Sequence, residues 1–170
     1  MKKTILIAIL LMAVNGVFAR NGPEKNNSRE VSILPFDKLS ISANITVILY
    51  ESSDISTVLI EGKEKLTRKI AVLQKDSRLL ITSSSAANLK DDVTIYIPVN
   101  KLKSLEVSED ASVESQTILQ SPGLELSMDG LSKISIIVNG TVQIKSGEQK
   151  AYIRRIRPEQ AVVKLARQRL

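Results

Sequence analysis

Two aspartates hold matching places in a repeated stretch, Asp110-Ala111-Ser112 and Asp129-Gly130-Leu131-Ser132. If one strand segment stacks on the next at about 4.8 Å, the two carboxylates come close enough to share a cation or to act as an acid/base pair. The plainer reading is a ladder of turn formers, because an aspartate hydrogen-bonds its own turn backbone. Glu106 and Glu125 recur in the same way on outward strand positions, where solvation alone accounts for them. Lys101, Lys103 and Lys133 offer the kind of base that sugar-cleaving lyases set beside a carboxylate, but no motif gathers them. Serines are abundant at outward positions, among them Ser83, Ser84, Ser85, Ser108, Ser127 and Ser135. Such a row of hydroxyls suits a glycan or a protein surface, and equally suits ordinary solvation of a sheet. Asp110, Ser112, Asp129 and Ser132 are therefore the candidate binding residues, and no catalytic, cofactor or metal set emerges.

Composition narrows the chemistry further. There is no Cys and no His in 170 residues. That excludes disulfides, thiol catalysis, Cys/His zinc sites and every mechanism that needs an imidazole base. It also excludes lipid attachment at a processed N-terminal cysteine. There is no Trp to serve as a stacking platform. The net charge of +6 is concentrated at the ends of the chain. Lys2 and Lys3 open the N-terminal segment. From Glu148 onward come Lys150, Arg154, Arg155, Arg157, Lys164, Arg167 and Arg169 against only Glu148 and Glu159. The body between is near neutral, unlike a nucleic-acid binder.

The elements that must position these residues are strands. Hydrophobic residues make up 43% and aromatics 3%, so Ile, Leu and Val fill the core, which favours β-branched packing on pleated surfaces. Leu105-Glu106-Val107-Ser108 recurs as Leu124-Glu125-Leu126-Ser127 nineteen positions later, and Val142-Gln143-Ile144-Lys145 follows eighteen after that. Alternation sends Leu105, Val107, Leu124, Leu126, Val142 and Ile144 inward and Glu106, Ser108, Glu125, Gln143 and Lys145 outward. A fixed repeat near twenty residues predicts stacked coils. Of the two topologies that fit, a hairpin meander and a parallel β-helix, the return of each repeat to one phase favours the second. The expected fold is all-β: a single-stranded right-handed parallel β-helix with a short C-terminal basic helix.

Along the chain, residues 1–19 read as a signal segment. It has a basic start, an apolar run from Ile5 to Val14, and Val17-Phe18-Ala19 before a cleavage between Ala19 and Arg20. That run falls short of the roughly 20 residues needed to span a bilayer. Residues 20–30 read as a disordered polar linker, 31–147 as the β domain, and 148–170 as a basic tail. Within the tail, Tyr152–Arg157 suits a strand. Pro158 suits a helix start, and Glu159–Arg169 an amphipathic helix. That helix would cap the open end of the coils, fray, or bind an anionic membrane or polysaccharide.

Phe36-Asp37-Lys38-Leu39, then Ser42-Ala43-Asn44-Ile45-Thr46-Val47, Lys101-Leu102-Lys103-Ser104-Leu105 and Asp129-Gly130-Leu131-Ser132-Lys133-Ile134 resemble, in order and spacing, the auto-transporter adhesin head domain called the GIN domain. The likeness covers residues 33 to 147. The Gly-Ile-Asn signature is here Asn44-Ile45-Thr46, and Asp110-Ala111-Ser112 stands where Gly-x-Ser is expected. The resemblance implies an exported β-helical domain of the bacterial envelope with an adhesive role, without enzyme activity or cofactor, and with no assigned site residues. The expected function is thus a non-enzymatic binding module in the periplasm, at the cell surface or secreted. It would bind a surface glycan or protein, with no nucleic acid and no stable transmembrane span, and homo-oligomerisation stays open. A periplasmic structural or assembly protein is the alternative, and a polysaccharide-acting enzyme a minor one.

Overall fold

The computed structural model describes residues 26–84, 86, 88–146 and 151–155. The signal segment, the Ala19–Arg20 junction and the amphipathic helix expected over Glu159–Arg169 lie outside them. The elements in order are β1 Asn26–Ser32, β2 Lys38–Ser42, β3 Thr46–Glu51, β4 Thr57–Lys63, α1 Glu64–Thr67, β5 Ile70–Lys75, β6 Arg78–Ser83, β7 Val93–Val99, β8 Ser104–Ser108, β9 Ser112–Met128, β10 Lys133–Ser146 and β11 Ala151–Arg155. Polarity marks residues up to 30 as linker, yet the chain is strand from Asn26. There β1 pairs along its whole length with β4, which satisfies the backbone groups on that edge whatever its side chains.

These strands form one 11-stranded sheet, ordered β1-β4-β7-β3-β9-β8-β2-β6-β5, with β10 on the other side of β9 and β11 beyond it. The chain is all-β as expected, but it is not a single-stranded right-handed parallel β-helix. The sheet is mixed. Pairs β1–β4, β4–β7 and β5–β6 are antiparallel, and the others are parallel. The β5–β6 hairpin turns on Asp76-Ser77, with Asp76 in the left-handed region at φ 54°. A two-residue turn can join only antiparallel neighbours. Inward/outward alternation is the same for both senses of pairing, which is why the sequence pattern does not tell them apart.

The sheet curls into a nearly closed, barrel-like wall around one core. One side consists of β1, β4, β7, β3 and the first part of β9; the other of the last part of β9, β8, β2, β6 and β5. Alternate residues of both sides, including Val47, Leu49, Ile60, Ile95 and Ile97 on the first and Leu39, Ile41, Ile81, Leu105 and Leu126 on the second, are fully buried in the same cluster. The two end strands come together at a seam bridged by side chains. Arg29 Nη2 donates to the Ile70 carbonyl at 2.7 Å, and the Gln74 amide both accepts from Leu34 N–H and donates to its carbonyl at 2.8 Å.

The register keeps the repeat between β9 and β10, where Val142 lies opposite Leu124 and Ile144 opposite Leu126, and departs from it in phase but not in face between β8 and β9. Leu105 lies opposite Leu126 and Val107 opposite Met128, a spacing of twenty-one residues rather than nineteen. A slip of two keeps every side chain on its face. The inward set is accordingly buried as expected, with only Ile144 partly so.

Asp37, in the Phe36–Leu39 motif, ties together the starts of three strands. Its N–H donates to Ser77 carbonyl at 3.0 Å, its own carbonyl accepts from Lys103 and Ser104, and its carboxylate meets Lys103 Nζ at 2.7 Å. The hydrogen bond from Lys103, helped by one from Ser77, holds its pKa below the ordinary 3.8. The carboxylate therefore contributes stability at pH values above 3.8 that is lost as pH falls through the folded value. Because Lys103 is largely exposed, Asp37→Asn should cost about 0.5–1 kcal/mol at pH 7. In urea unfolding followed by circular dichroism, the gap from wild type should shrink as pH falls below 3.8. Truncating the core by Leu126→Ala should cost about 2–5 kcal/mol at any pH in the same measurement.

Candidate functional site

On the second side of the sheet, residues that alternate with the buried leucines and isoleucines form the outer face. Pairing sets them in cross-strand lines. Leu80, Ser40, Glu106 and Ser127 stand side by side on β6, β2, β8 and β9, and Thr82, Ser42 and Ser108 form the next line. Between these lines lies an open groove of about 360 Å³, lined by Ser40, Ser42, Arg78, Leu80, Glu106, Ser108, Ser127 and Asp129, with Ile41 and Val107 beneath.

Its centre is a bonded triplet. Arg78 Nη1 meets Glu106 Oε2 at 2.6 Å and Ser40 Oγ at 3.0 Å, and Ser40 Oγ donates to the same carboxylate oxygen at 2.8 Å. Ser40 is 8% exposed, so its hydroxyl is fixed by these partners. Toward β9, Ser108 Oγ donates to the Ile41 carbonyl at 3.2 Å, and Ser42 Oγ donates to Glu109 at 3.4 Å. At the rim, Glu125 takes Lys145 Nζ at 2.9 Å. Such a surface can bind through many hydrogen bonds. The Arg78 guanidinium is already committed to the Glu106 carboxylate, and among the described residues no lysine lines the groove.

Of the four residues picked out from the sequence, only Asp129 lines this groove. Asp110 and Asp129 both turn to the Gly130–Leu131 corner. Asp110 Oδ1 accepts the Leu131 N–H at 3.0 Å from the following corner, whereas Asp129 Oδ1 accepts its own Gly130 N–H at 2.8 Å and its N–H donates to Val107 carbonyl. Each carboxylate is occupied with a backbone amide, the turn-forming role. Ser132 is buried with its hydroxyl on Asp129 carbonyl, and Ser112 is half-buried at the start of β9 between Thr46 and Lys133. Glu106 and Glu125 do not stack either: Glu106 faces Ser127, and Glu125 faces Ser104. Lys103 belongs to Asp37. Among the described residues, no group of three or more acidic side chains is placed to hold a metal ion. None of the described helices is long and apolar enough to cross a membrane.

Ser40 and Arg78 were missed. The first was legible in principle, since it alternates with Leu39 and Ile41. Arg78 was not, because only the β2–β6 pairing brings it across 28 positions of sequence to Glu106.

The sequence model for the family described as "Putative auto-transporter adhesin, head GIN domain" matches residues 35–151. The chain belongs to this family. Its altered signature has a structural role here, because Asn44 Oδ1 accepts the Asp110 N–H at 2.8 Å and so ties the β2–β3 turn to the next corner. The crystal structure of a putative adhesin from Parabacteroides distasonis shares the fold of this GIN-family chain, with TM-score 0.51 at 17% identity over 78% of this chain and 71% of that one. Two more putative adhesins align less closely. One is from Parabacteroides merdae (TM-score 0.45, 16% identity, 78% of this chain and 70% of that one). The other is from Bacteroides fragilis (0.42, 13%, 79% and 98%). No curated protein sequence is significantly similar to the chain.

The corner beside the groove depends on one glycine. Gly130 has φ 75°, and a Cβ there would stand 2.5 Å from the Glu109 carbonyl oxygen. Gly130→Ala should cost about 1–3 kcal/mol, read as a lowered urea midpoint.

Proposed function

We propose that this GIN-family chain is an exported, non-enzymatic binding module of the bacterial envelope, and that the groove over β6, β2, β8 and β9 is its binding face. The observation that carries this reading is the groove itself: hydroxyls and a bonded Arg78–Ser40–Glu106 triplet on a rigid, fully paired sheet face. Rigid placement lowers the ordering cost of binding. Membership of a family described as adhesin heads supports the same role, and the basic start, apolar run and Ala19–Arg20 junction support export. No cofactor is needed for such a role.

Two measurements test it. Expressed in a bacterial host, the chain should be recovered from the envelope or medium with Arg20 as its N-terminal residue by mass spectrometry; recovery from the cytoplasm with Met1 intact would end the export reading. Screened on arrays of surface glycans and matrix proteins, the full chain should bind at least one, and Glu106→Gln should weaken that binding about tenfold or more. Binding indifferent to every groove substitution would move the site elsewhere.

A further inference from the structure

We infer that the groove takes a neutral, polyhydroxylated ligand, an uncharged glycan chain lying across the strands, and selects against anionic glycans; this rests on the binding-module reading above. Charge is the first ground. Arg78 is the cation lining the groove, and it is committed to Glu106 at 2.6 Å and to Ser40. Asp129 lines the same groove, and Glu109 reaches Ser42 at its edge. The balance left to a ligand is negative, so a sulfate, phosphate or uronate entering here meets repulsion and no free guanidinium.

Hydrogen-bond chemistry is the second ground. A sugar hydroxyl both donates and accepts. The Arg78–Glu106 pair presents donors and an acceptor carboxylate side by side, the complement of two neighbouring hydroxyls. The Ser127 hydroxyl lines the same groove and can give or take, while Ser42 and Ser108, whose protons go to Glu109 and the Ile41 carbonyl, can still accept. Leu80 stands at the end of the Ser40–Glu106–Ser127 line, and Leu73, 54% exposed, lies opposite it on β5. These leucines offer an apolar strip to the C–H face of a ring.

Shape is the third ground. The line from Leu80 to Ser127 crosses four strands, about 14 Å at the strand spacing, and the groove is open, as a chain ligand requires. The backbone decides against a peptide. Strands β6, β2, β8 and β9 each have a partner on both sides, so their amides and carbonyls are used in the sheet and an extended peptide finds no edge to join.

The test is binding of the full purified chain to an array carrying neutral glycans, sulfated and uronate glycans, and basic peptides, at low and physiological salt. The variants are Glu106→Gln, Ser40→Ala and Ser127→Gln, with Glu61→Gln on the opposite side as control. Ser127→Gln fills the groove while leaving all three residues of the bonded triplet unchanged, so it still reports if Glu106→Gln perturbs the fold by circular dichroism. The expected result is binding to neutral glycans with little dependence on salt, weakened about tenfold or more by the three groove variants and unchanged by the control. Preference for anionic glycans, or groove-dependent binding of basic peptides alone, would overturn the ligand class while leaving the module reading intact. Binding of no array member would overturn both, and binding unmoved by all three groove variants would overturn this inference and move the site elsewhere.

Discussion

Strand β9 has to satisfy neighbours on both sides over seventeen residues, and the rest of the molecule depends on its doing so. Its first residues, from Ser112, pair with β3; its last, from Glu125, pair with β8; and β10 follows it along the other edge. A buried backbone amide left unpaired costs about as much as a lost hydrogen bond. A strand that leaves one half of the sheet and enters the other must therefore find a ladder in each. Because β9 does, the two sides are one sheet with one core, and the outer face of the second side is held rigid. Where the strand passes from one side to the other it needs local help. Buried Ser121 gives its hydroxyl to the Leu102 carbonyl, and Gly140 in β10 runs so close to Ser121 that a side chain there would collide with its backbone.

The polar groups of the molecule serve two distinct ends. At the corners, Asp37, Asn44, Asp110 and Asp129 spend their side chains or backbone on neighbouring amides and turns. Along the strands, Ser40, Ser42, Ser108 and Glu106 stand on an outer face whose backbone is already satisfied, so their remaining hydrogen-bonding capacity is open to a ligand. This division places the binding surface on flat strand faces rather than at the corners, where carboxylates are more conspicuous in the sequence. The seam between β1 and β5 is a third use of polar side chains. Arg29 and Gln74 there take the place of a backbone ladder, covering edges that would otherwise invite another strand.

Much of this was legible in the residues. Alternation placed Leu105, Val107, Leu124, Leu126 and Val142 inward and Glu106, Glu125 and Gln143 outward, because strand side chains alternate regardless of what the neighbouring strand does. The motifs from Phe36 to Ile134 identified the family. The turn-forming aspartates were also legible, since an aspartate finds its partner within its own or the adjoining turn. The topology was not. A repeat near twenty residues suggested uniform parallel stacking, yet β1, β4 and β5 run antiparallel to their neighbours, and the pairing of β8 with β9 is shifted by two residues from the apparent repeat.

The sequence by itself determined which side chains face the core, where the chain turns, and that no imidazole or thiol chemistry is available, because these follow from period, turn chemistry and composition. Tertiary structure alone decided which strands are neighbours, and with that the assembly of the groove. Ser40, Arg78 and Glu106 come from three strands that are 38 and 28 positions apart through Arg78. Strand pairing is chosen by closure of the whole sheet around its core, a condition satisfied by all the strands together and encoded in no one of them.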